Sequence, residues 1–233
     1  MPKLGLGQTV GRANIVTPGI IKGDNLKLLH RYTSGEVVDL SEGGSSHDGT
    51  NGSYIDTPFK PDYIHTNATA MMWLNMGDFT GSQAMGCHGS KRWYMGFAGT
   101  DAFIGVQNAV KDDMTITPTP VAGEWFHYAL VANSGTATVY INGKAQGTLS
   151  YTPSSGDNPI GNFTIGVRNN DTGGGFVGQA GMNCIVTNLG QFNIALTQPQ
   201  IKDIMWKDYS SLTIDDKENL VSWWTLSSDV TDS

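Results

Sequence analysis

Residues 124–146 read EWFHYALVANSGTATVYINGKAQ, with aromatic, aliphatic and β-branched residues on either side of a short polar loop. The pattern lacks helical spacing and predicts two strands joined at residues 133–136. The dipeptide Asn142-Gly143 then favours the tight turn whose twist suits a β-hairpin, so a third strand is predicted at 144–151. Three antiparallel strands this apolar belong to a larger all-β body.

The same stretch resembles the central hairpin of laminin G-like members of the concanavalin A-like lectin/glucanase superfamily. The order Glu-Trp-Phe-His-Tyr-Ala at 124–129, followed by Val-Tyr-Ile-Asn-Gly-Lys at 139–144, carries this resemblance. It implies an antiparallel jelly-roll sandwich of two sheets. It also implies that Trp73, in a predicted strand at 70–75, lies against the opposite sheet.

The composition agrees with β structure and excludes some classes of partner. The chain has 233 residues and 30 glycines, and only 15% of its residues are charged, against about 25% in an average protein. A formal net charge of −7 disfavours nucleic-acid binding, which needs clustered Lys and Arg. No run approaches the roughly 20 apolar residues of a membrane span, and the first residues do not form a signal peptide. We therefore expect synthesis in a cytoplasm and no membrane insertion.

The sequence predicts an extended arm at the N-terminus and a repeated motif at the C-terminus. Residues 1–23 are glycine-rich and lack a regular period, so we expect an extended N-terminal arm before a jelly roll at 24–233. The arm either frays or docks on a partner. Its candidate docking residues are Leu4, Leu6, Ile15, Val16, Ile20 and Ile21. Residues 218–233 resemble 24–41, and the segment 210–233 either closes the sheet or begins a second jelly roll.

The remaining elements follow from local patterns. Thr197, with Pro199 in the first turn and apolar residues at helical spacing, predicts one short helix near 197–207. Further strands are predicted at 25–29, 54–57, 84–88, 93–97, 103–106, 162–167 and 182–192, and turns or loops at 46–52, 110–113 and 168–175.

Catalytic motifs are missing from the sequence. Glycosidases of this superfamily use the spacing Glu-x-Asp-x-Glu on one strand to project two carboxylates into a cleft. The four glutamates do not form that spacing; they are Glu36, Glu42, Glu124 and Glu218. Neither Gly-x-Ser-x-Gly nor His-Glu-x-x-His occurs, and His127 is expected to be structural. These observations favour a protein that is not an enzyme.

Metal and disulfide sites are not clearly indicated. Relatives often carry an acidic residue early in the last long strand, but here Asn183, Thr187 or Asn188 replaces it. A calcium ion is thus unsupported by a clear motif, the metal assignment is unknown, and no cofactor is expected to be required. Cys87 and Cys184 are far apart in sequence and are expected to be reduced thiols, with a bridge as the alternative.

Two groups of residues have the chemistry of a carbohydrate site, which needs a flat aromatic ring beside hydroxyl-binding polar groups. The first is His88, Arg92, Trp93 and Tyr94, and the second is the predicted loop Arg168, Asn169, Asn170 and Asp171. The competing interpretation places Trp93 in the core and leaves the loops merely solvated. Strand alternation sends one of the two neighbouring rings inward.

The opening Pro-Lys-Leu-Gly-Leu-Gly at 2–7 resembles the starts of laminin G-like structural proteins of marine tailed phages. Together with the arm and the missing catalytic groups, it favours a non-enzymatic virion structural or interaction protein, such as a tail fibre, knob or capsid decoration component. Expected partners are other virion proteins, copies of itself and host surface glycans. The alternatives are a free-standing carbohydrate-binding lectin module and a glycan-degrading enzyme, which the lack of a catalytic Glu pair disfavours.

Overall fold

The computed structural model describes residue 40 and residues 43–61, 66–88, 92–154, 161–170 and 181–226, with the backbone alone at 88 and 170. These residues form two main β-sheets packed face to face, which confirms the predicted all-β sandwich. The predicted arm at 1–23 and the predicted strand at 25–29 lie outside the described residues. The strands are β1 (Ser45–Asp48), β2 (Ile55–Asp56), β3 (Asn67–Met76), β4 (Ser82–His88), β5 (Arg92–Ala98), β6 (Asp101–Gln107), β7 (Ala109–Met114), β8 (Trp125–Asn133), β9 (Thr136–Ile141), β10 (Lys144–Ser150), β11 (Thr164–Ile165), β12 (Arg168–Asn170), β13 (Asn183–Phe192) and β14 (Leu220–Trp224).

The larger sheet has seven strands in the order β1-β13-β3-β8-β9-β10, with β14 also paired to β13. Strands β8, β9 and β10 form the predicted antiparallel meander. Asn142 and Gly143 close its second turn with φ angles of +50° and +69°, the left-handed region that this turn type requires. The local turn chemistry thus sets the register of the hairpin.

Strand β13 pairs along one edge with two different strands. Its first half pairs with β1, and its second half pairs with β14, with Asn188 at φ +47° between the two. The C-terminal segment therefore joins the larger sheet beside β13. The division of the chain into an arm and a jelly roll stays a prediction.

The smaller sheet has five strands in the order β12-β4-β5-β6-β7, and β12 runs parallel to β4. The main core lies between the inner faces of the two sheets, with Met72, Leu74 and Tyr128 from the larger sheet and Trp93 and Phe97 from the smaller. Cys87 and Cys184 are buried in this core as free thiols, as predicted, and burial raises the pKa of both well above the usual range.

The outer face of the larger sheet is covered by helix α1 (Gln198–Ile204) and by the segment that follows it. Thr197 caps the helix in a capping box with Gln200, which confirms the predicted start. We call this outer face the helix-covered face; its buried apolar residues are Met71, Ala129, Val131, Phe192, Leu196, Ile201, Ile204, Met205, Leu212 and Trp223.

Two short helical elements that the sequence did not predict follow α1. They are a 3₁₀ helix at Tyr209–Ser211 and helix α2 at Ile214–Lys217, each closed by its own capping box. Within the part of the chain that the structure describes, no helix is long and apolar enough to cross a membrane.

The predicted position of Trp73 is wrong. The period of two along β3 sends Met72 and Leu74 into the main core and Trp73 to the helix-covered face. There its indole Nε1 donates a hydrogen bond to the carbonyl oxygen of Met205 at 2.7 Å, and its ring lies 5.0 Å from that of Trp206. Trp93 of the smaller sheet is the tryptophan that enters the main core from β5.

Three predicted turns or loops contain strands. The expected turn at 110–113 is part of β7, the expected connection at 46–52 begins inside β1, and the expected loop at 168–175 begins with β12. All three strands are short, polar and at or near a sheet edge, so they lack the apolar alternation by which strands are recognised. The predicted strand at 162–167 narrows to β11 because Gly166, at φ +89°, redirects the chain.

Candidate functional site

The smaller sheet brings the two candidate carbohydrate-binding groups together. Arg168 of β12 pairs with Gly86 of β4, Gly86 pairs with Tyr94 of β5, and Tyr94 pairs with Gly105 of β6. Residues directly opposite each other in a sheet project to the same face, so Arg168 and Tyr94 share the outer face although 74 positions separate them in the sequence.

Two glycines make room for these side chains. A Cβ atom at Gly105 would lie 2.3 Å from Cε1 and Cζ of Tyr94, so the tyrosine ring lies directly over this position. Gly86 has a φ of +116°, and a Cβ there would lie 2.4 Å from the carbonyl oxygen of Trp93. A side chain at Gly86 would thus collide with the β5 backbone beside Tyr94.

The guanidinium of Arg168 lies over two aromatic rings. Its Cζ atom is 4.6 Å from the ring centroid of Tyr94 and 5.3 Å from that of Phe103. The residue is 5% exposed, and its Nε is buried without a hydrogen-bond partner. Burial lowers the pKa of Arg168, the nearby Tyr94 opposes that shift, and the positive charge of Arg92 adds to it.

Arg92 provides a second cation on the same outer face, two positions before Tyr94 on β5. Its Nη1 donates to the carbonyl oxygen of Gln107 at 3.5 Å, and its Nε is also buried without a partner. Across the described residues, neither arginine is part of an ion pair. We call the group formed by Arg92, Tyr94, Phe103 and Arg168 the arginine face; Arg92 is its partly exposed member, and the other three side chains are buried.

The pKa of the Tyr94 phenol is shifted by burial and by the charges around it. Burial raises its pKa, whereas the charges of Arg168 and Arg92 lower it and the carboxylate of Asp112 on β7 raises it further. The hydroxyl is therefore a neutral donor and acceptor at physiological pH.

The other candidate residues are placed differently. Trp93 is fully buried in the main core, where its Nε1 donates to Oε1 of Gln191 at 3.1 Å. The rings of Trp93, Tyr94 and Phe103 are all buried, so none of them is open to a stacked sugar. Asn169 donates from Nδ2 to the carbonyl oxygen of Asn162 at 3.5 Å, away from Tyr94. The side chains of His88 and Asn170, and all of Asp171, lie outside the described residues.

Asp78, a carboxylate that the sequence analysis did not single out, lies beside Asn183. Asp78 accepts hydrogen bonds at Oδ1 from the Thr80 hydroxyl at 2.6 Å, the Thr80 amide at 2.9 Å and Gln83 Nε2 at 2.9 Å, and at Oδ2 from Asn183 Nδ2 at 2.6 Å. These bonds, the Thr80 hydroxyl first, hold the pKa of Asp78 far below its usual range. The described residues hold no cluster of three His, Cys, Asp or Glu suited to a metal.

His127 occupies a structural position. It is buried on the helix-covered face with its ring 5.5 Å from that of Trp73, in an edge-on arrangement. Burial lowers its pKa to about 3, so the imidazole is neutral. Glu124 precedes β8 and Glu218 follows α2, so neither carboxylate lies within a strand.

Comparison with known families agrees with this geometry. The laminin G model described as "Concanavalin A-like lectin/glucanases superfamily" matches residues 48–202, about two thirds of the chain. The chain belongs to this superfamily. The resemblance seen at residues 124–146 is thereby confirmed, and the two-sheet sandwich is a lectin-like jelly roll. No curated protein sequence matches the chain significantly.

Solved structures share the fold of this superfamily member. A candidate carbohydrate binding protein from Bacteroides ovatus has a TM-score of 0.59 and 18% identity, over 82% of this chain and 54% of that chain. The heptameric SAP-like pentraxin of Limulus polyphemus has a TM-score of 0.55 and 17% identity, over 81% of this chain and 92% of that chain. A Trypanosoma rangeli sialidase in complex with difluorosialic acid has a TM-score of 0.52 and 15% identity, over 69% of this chain and 27% of that chain. The chain thus spans about half of the Bacteroides protein, and identities this low concern the fold alone.

Proposed function

We propose that this protein is a non-enzymatic structural and adhesion component of a virion, whose jelly roll binds glycans on the host surface. The observation that carries the binding part is the arginine face. Tyr94, Phe103 and Arg168 meet there through two glycine positions, in a fold that belongs to a lectin superfamily.

The chemistry of the arginine face suits a sugar ligand. Arginine N–H groups donate hydrogen bonds to hydroxyl and ring oxygens, and the hydroxyl of Tyr94 can donate or accept. The Bacteroides structure, named for carbohydrate binding, has the same fold, which supports this interpretation without assigning a glycan.

The virion part rests on the sequence. Residues 2–7 resemble the starts of phage structural proteins, and the glycine-rich arm at 1–23 provides apolar residues that can dock on a neighbouring subunit. Virion proteins act in many copies, and the heptameric state of the similar Limulus pentraxin is an example of a jelly roll that assembles.

A free-standing lectin module is the second candidate, because glycan binding alone would satisfy the arginine face. A glycan-degrading enzyme is the least favoured, since the described glutamates, Glu124 and Glu218, lie outside the strands and form no catalytic pair. The likeness to the sialidase covers 27% of that chain, so it concerns only one part of that enzyme.

Two measurements test the proposal. Electron microscopy and mass spectrometry of purified particles should place the chain in the virion at a fixed copy number, and its absence from particles would refute the virion role. A glycan array probed with the purified protein, with and without Ca²⁺, should show binding to a defined set of glycans. A uniformly negative array would refute adhesion, and release of sugars from any bound glycan would revive the enzyme.

A further inference from the structure

Arg168 is a buried cation that no described carboxylate balances. The side chain of Tyr94 is a hydrogen-bond partner of Arg168, and the faces of Tyr94 and Phe103 attract its positive charge, but none of these groups carries a balancing negative charge. Its Nε–H is left without an acceptor. Burying an unpaired charge is unfavourable, so an arrangement of this kind calls for an anion in the working state of the protein.

The second arginine points to the same ligand. Arg92 lies one row along the same face, and its Nε–H is likewise buried without an acceptor. Its one described hydrogen bond is long, at 3.5 Å to the carbonyl oxygen of Gln107. The two charges are close enough for Arg92 to lower the pKa of Arg168. An anion bound between them would relieve that repulsion and accept both orphan donors.

The geometry suits one chemical class of anion. Guanidinium groups bind carboxylate and sulfate oxygens through paired N–H donors, which distinguishes them from the point charge of a lysine. The hydroxyl of Tyr94 stays protonated beside them and can donate a further hydrogen bond. A neutral hydroxyl would leave the positive charge unbalanced.

We propose that Arg168 and Arg92 form an oxyanion site on the arginine face, which takes the carboxylate or sulfate group of an acidic glycan. The assignment rests on the proposed glycan-binding function, and it names the class of ligand. The protein carries a net charge of −7, so attraction of the anion depends on these two side chains and not on the overall field of the molecule.

The first test uses small probes and the whole chain. The arginine Nε–H signals in a ¹H–¹⁵N NMR spectrum should shift saturably on addition of sodium sulfate and of sodium glucuronate, and should not shift with glucose. The Arg168→Met variant removes the charge and the N–H donors but keeps an unbranched apolar side chain, so it should bind at least tenfold more weakly. Its melting temperature should be unchanged or higher, because an uncompensated buried charge has been removed.

The matched control is Lys144→Met, which removes the same charge from an exposed position on the larger sheet. It should leave anion binding unchanged. Equal weakening by both variants, or full binding by Arg168→Met, would overturn the site.

Glycan arrays carrying uronic acids, sialic acids, sulfated sugars and neutral sugars then identify the source of the oxyanion. Binding to acidic glycans that Arg168→Met loses would support the proposal, and the stronger class tells carboxylate from sulfate. Binding to neutral glycans that the variant retains would overturn the oxyanion site and leave the adhesion function standing. Binding of the small anions without binding of any glycan would support the oxyanion site and overturn the adhesion function.

Discussion

The two outer faces of the sandwich differ in which buried side chains have polar atoms without a hydrogen-bond partner. On the helix-covered face, α1 and the following segment cover apolar side chains, and the buried donors of Trp73 and Trp223 both reach acceptors, while Nδ1 of the neutral His127 has no partner. On the arginine face, two buried Nε–H groups have no acceptor. Both faces thus bury a polar atom without a partner, but among the described residues only the arginine face leaves such atoms on charged side chains, and this charge is what suits it to an anion.

The largest expected effect concerns packing on the helix-covered face. The substitution Trp223→Ala should lower the free energy of unfolding by about 3–5 kcal/mol, because it leaves a large cavity beside α1. Urea unfolding followed by tryptophan fluorescence measures this change. The exposed Ile214 is the control, and Ile214→Ala should change stability by less than about 0.5 kcal/mol. A similar loss in the two variants would show that burial of Trp223 beneath α1 is not what stabilises this face.

The second prediction concerns the pH dependence of stability that arises from the neutral imidazole of His127 on the helix-covered face. The pKa of His127 is lowered to about 3 by burial, against about 6.5 in the unfolded chain, so below pH 6.5 the unfolded state binds more protons. Stability should therefore fall with falling pH, by about 3 kcal/mol between pH 7 and pH 4 from this residue. Urea unfolding at several pH values measures it.

The control for this prediction is His127→Phe, which keeps an aromatic ring beside Trp73 but cannot titrate. Carboxylates such as Asp78 titrate in both proteins, so the difference between the two pH profiles isolates the histidine. Parallel profiles for the two proteins would show that His127 is not the group responsible.

A third test addresses the arginine face. The substitution Gly105→Ala places a methyl group where the Tyr94 ring lies, so it should displace the ring, cost about 1–3 kcal/mol and weaken anion binding. Thermal unfolding and the NMR titration measure the two effects. Gly52→Ala is the control, because a Cβ at Gly52 meets open space apart from a distant Thr50 hydroxyl. Unchanged anion binding by Gly105→Ala would separate Tyr94 from the site.

The smallest expected effect is at the start of α1. Replacing Thr197 with alanine removes the side chain that accepts from the Gln200 amide, which should cost about 1 kcal/mol without affecting anion binding. Thermal unfolding measures the cost, and Thr197→Ser should retain most of the stability because it keeps the hydroxyl. A weakened anion site in Thr197→Ala would show that the two faces are coupled.

Local chemistry made part of this protein predictable. The meander at 124–146 could be recognised because Asn142-Gly143 chooses its own turn, and α1 because Thr197 caps the residues that follow directly. The polar edge strands β7 and β12 could not, since their pairing depends on neighbours distant in the sequence.

The candidate site shows the same limit. The sequence named Arg92, Tyr94 and Arg168, but it treated them as two separate groups and offered Trp93 as a possible sugar platform. The structure turns Trp93 into the main core and brings Arg168 onto Tyr94 through the parallel pairing of β12 with β4. Phe103, which completes the arginine face, stood in an ordinary predicted strand and gave no signal of its own.

The amino-acid sequence by itself determined the all-β class, the central hairpins, the capped helix and the reduced state expected of the cysteines, because each depends on residues close in the chain or on composition. The tertiary structure alone decided which face each described aromatic side chain occupies and which of the described charges are buried away from a described carboxylate. Those outcomes depend on the register between strands and on burial, so a cation such as Arg168 becomes unusual only after the surrounding sheet has removed it from water.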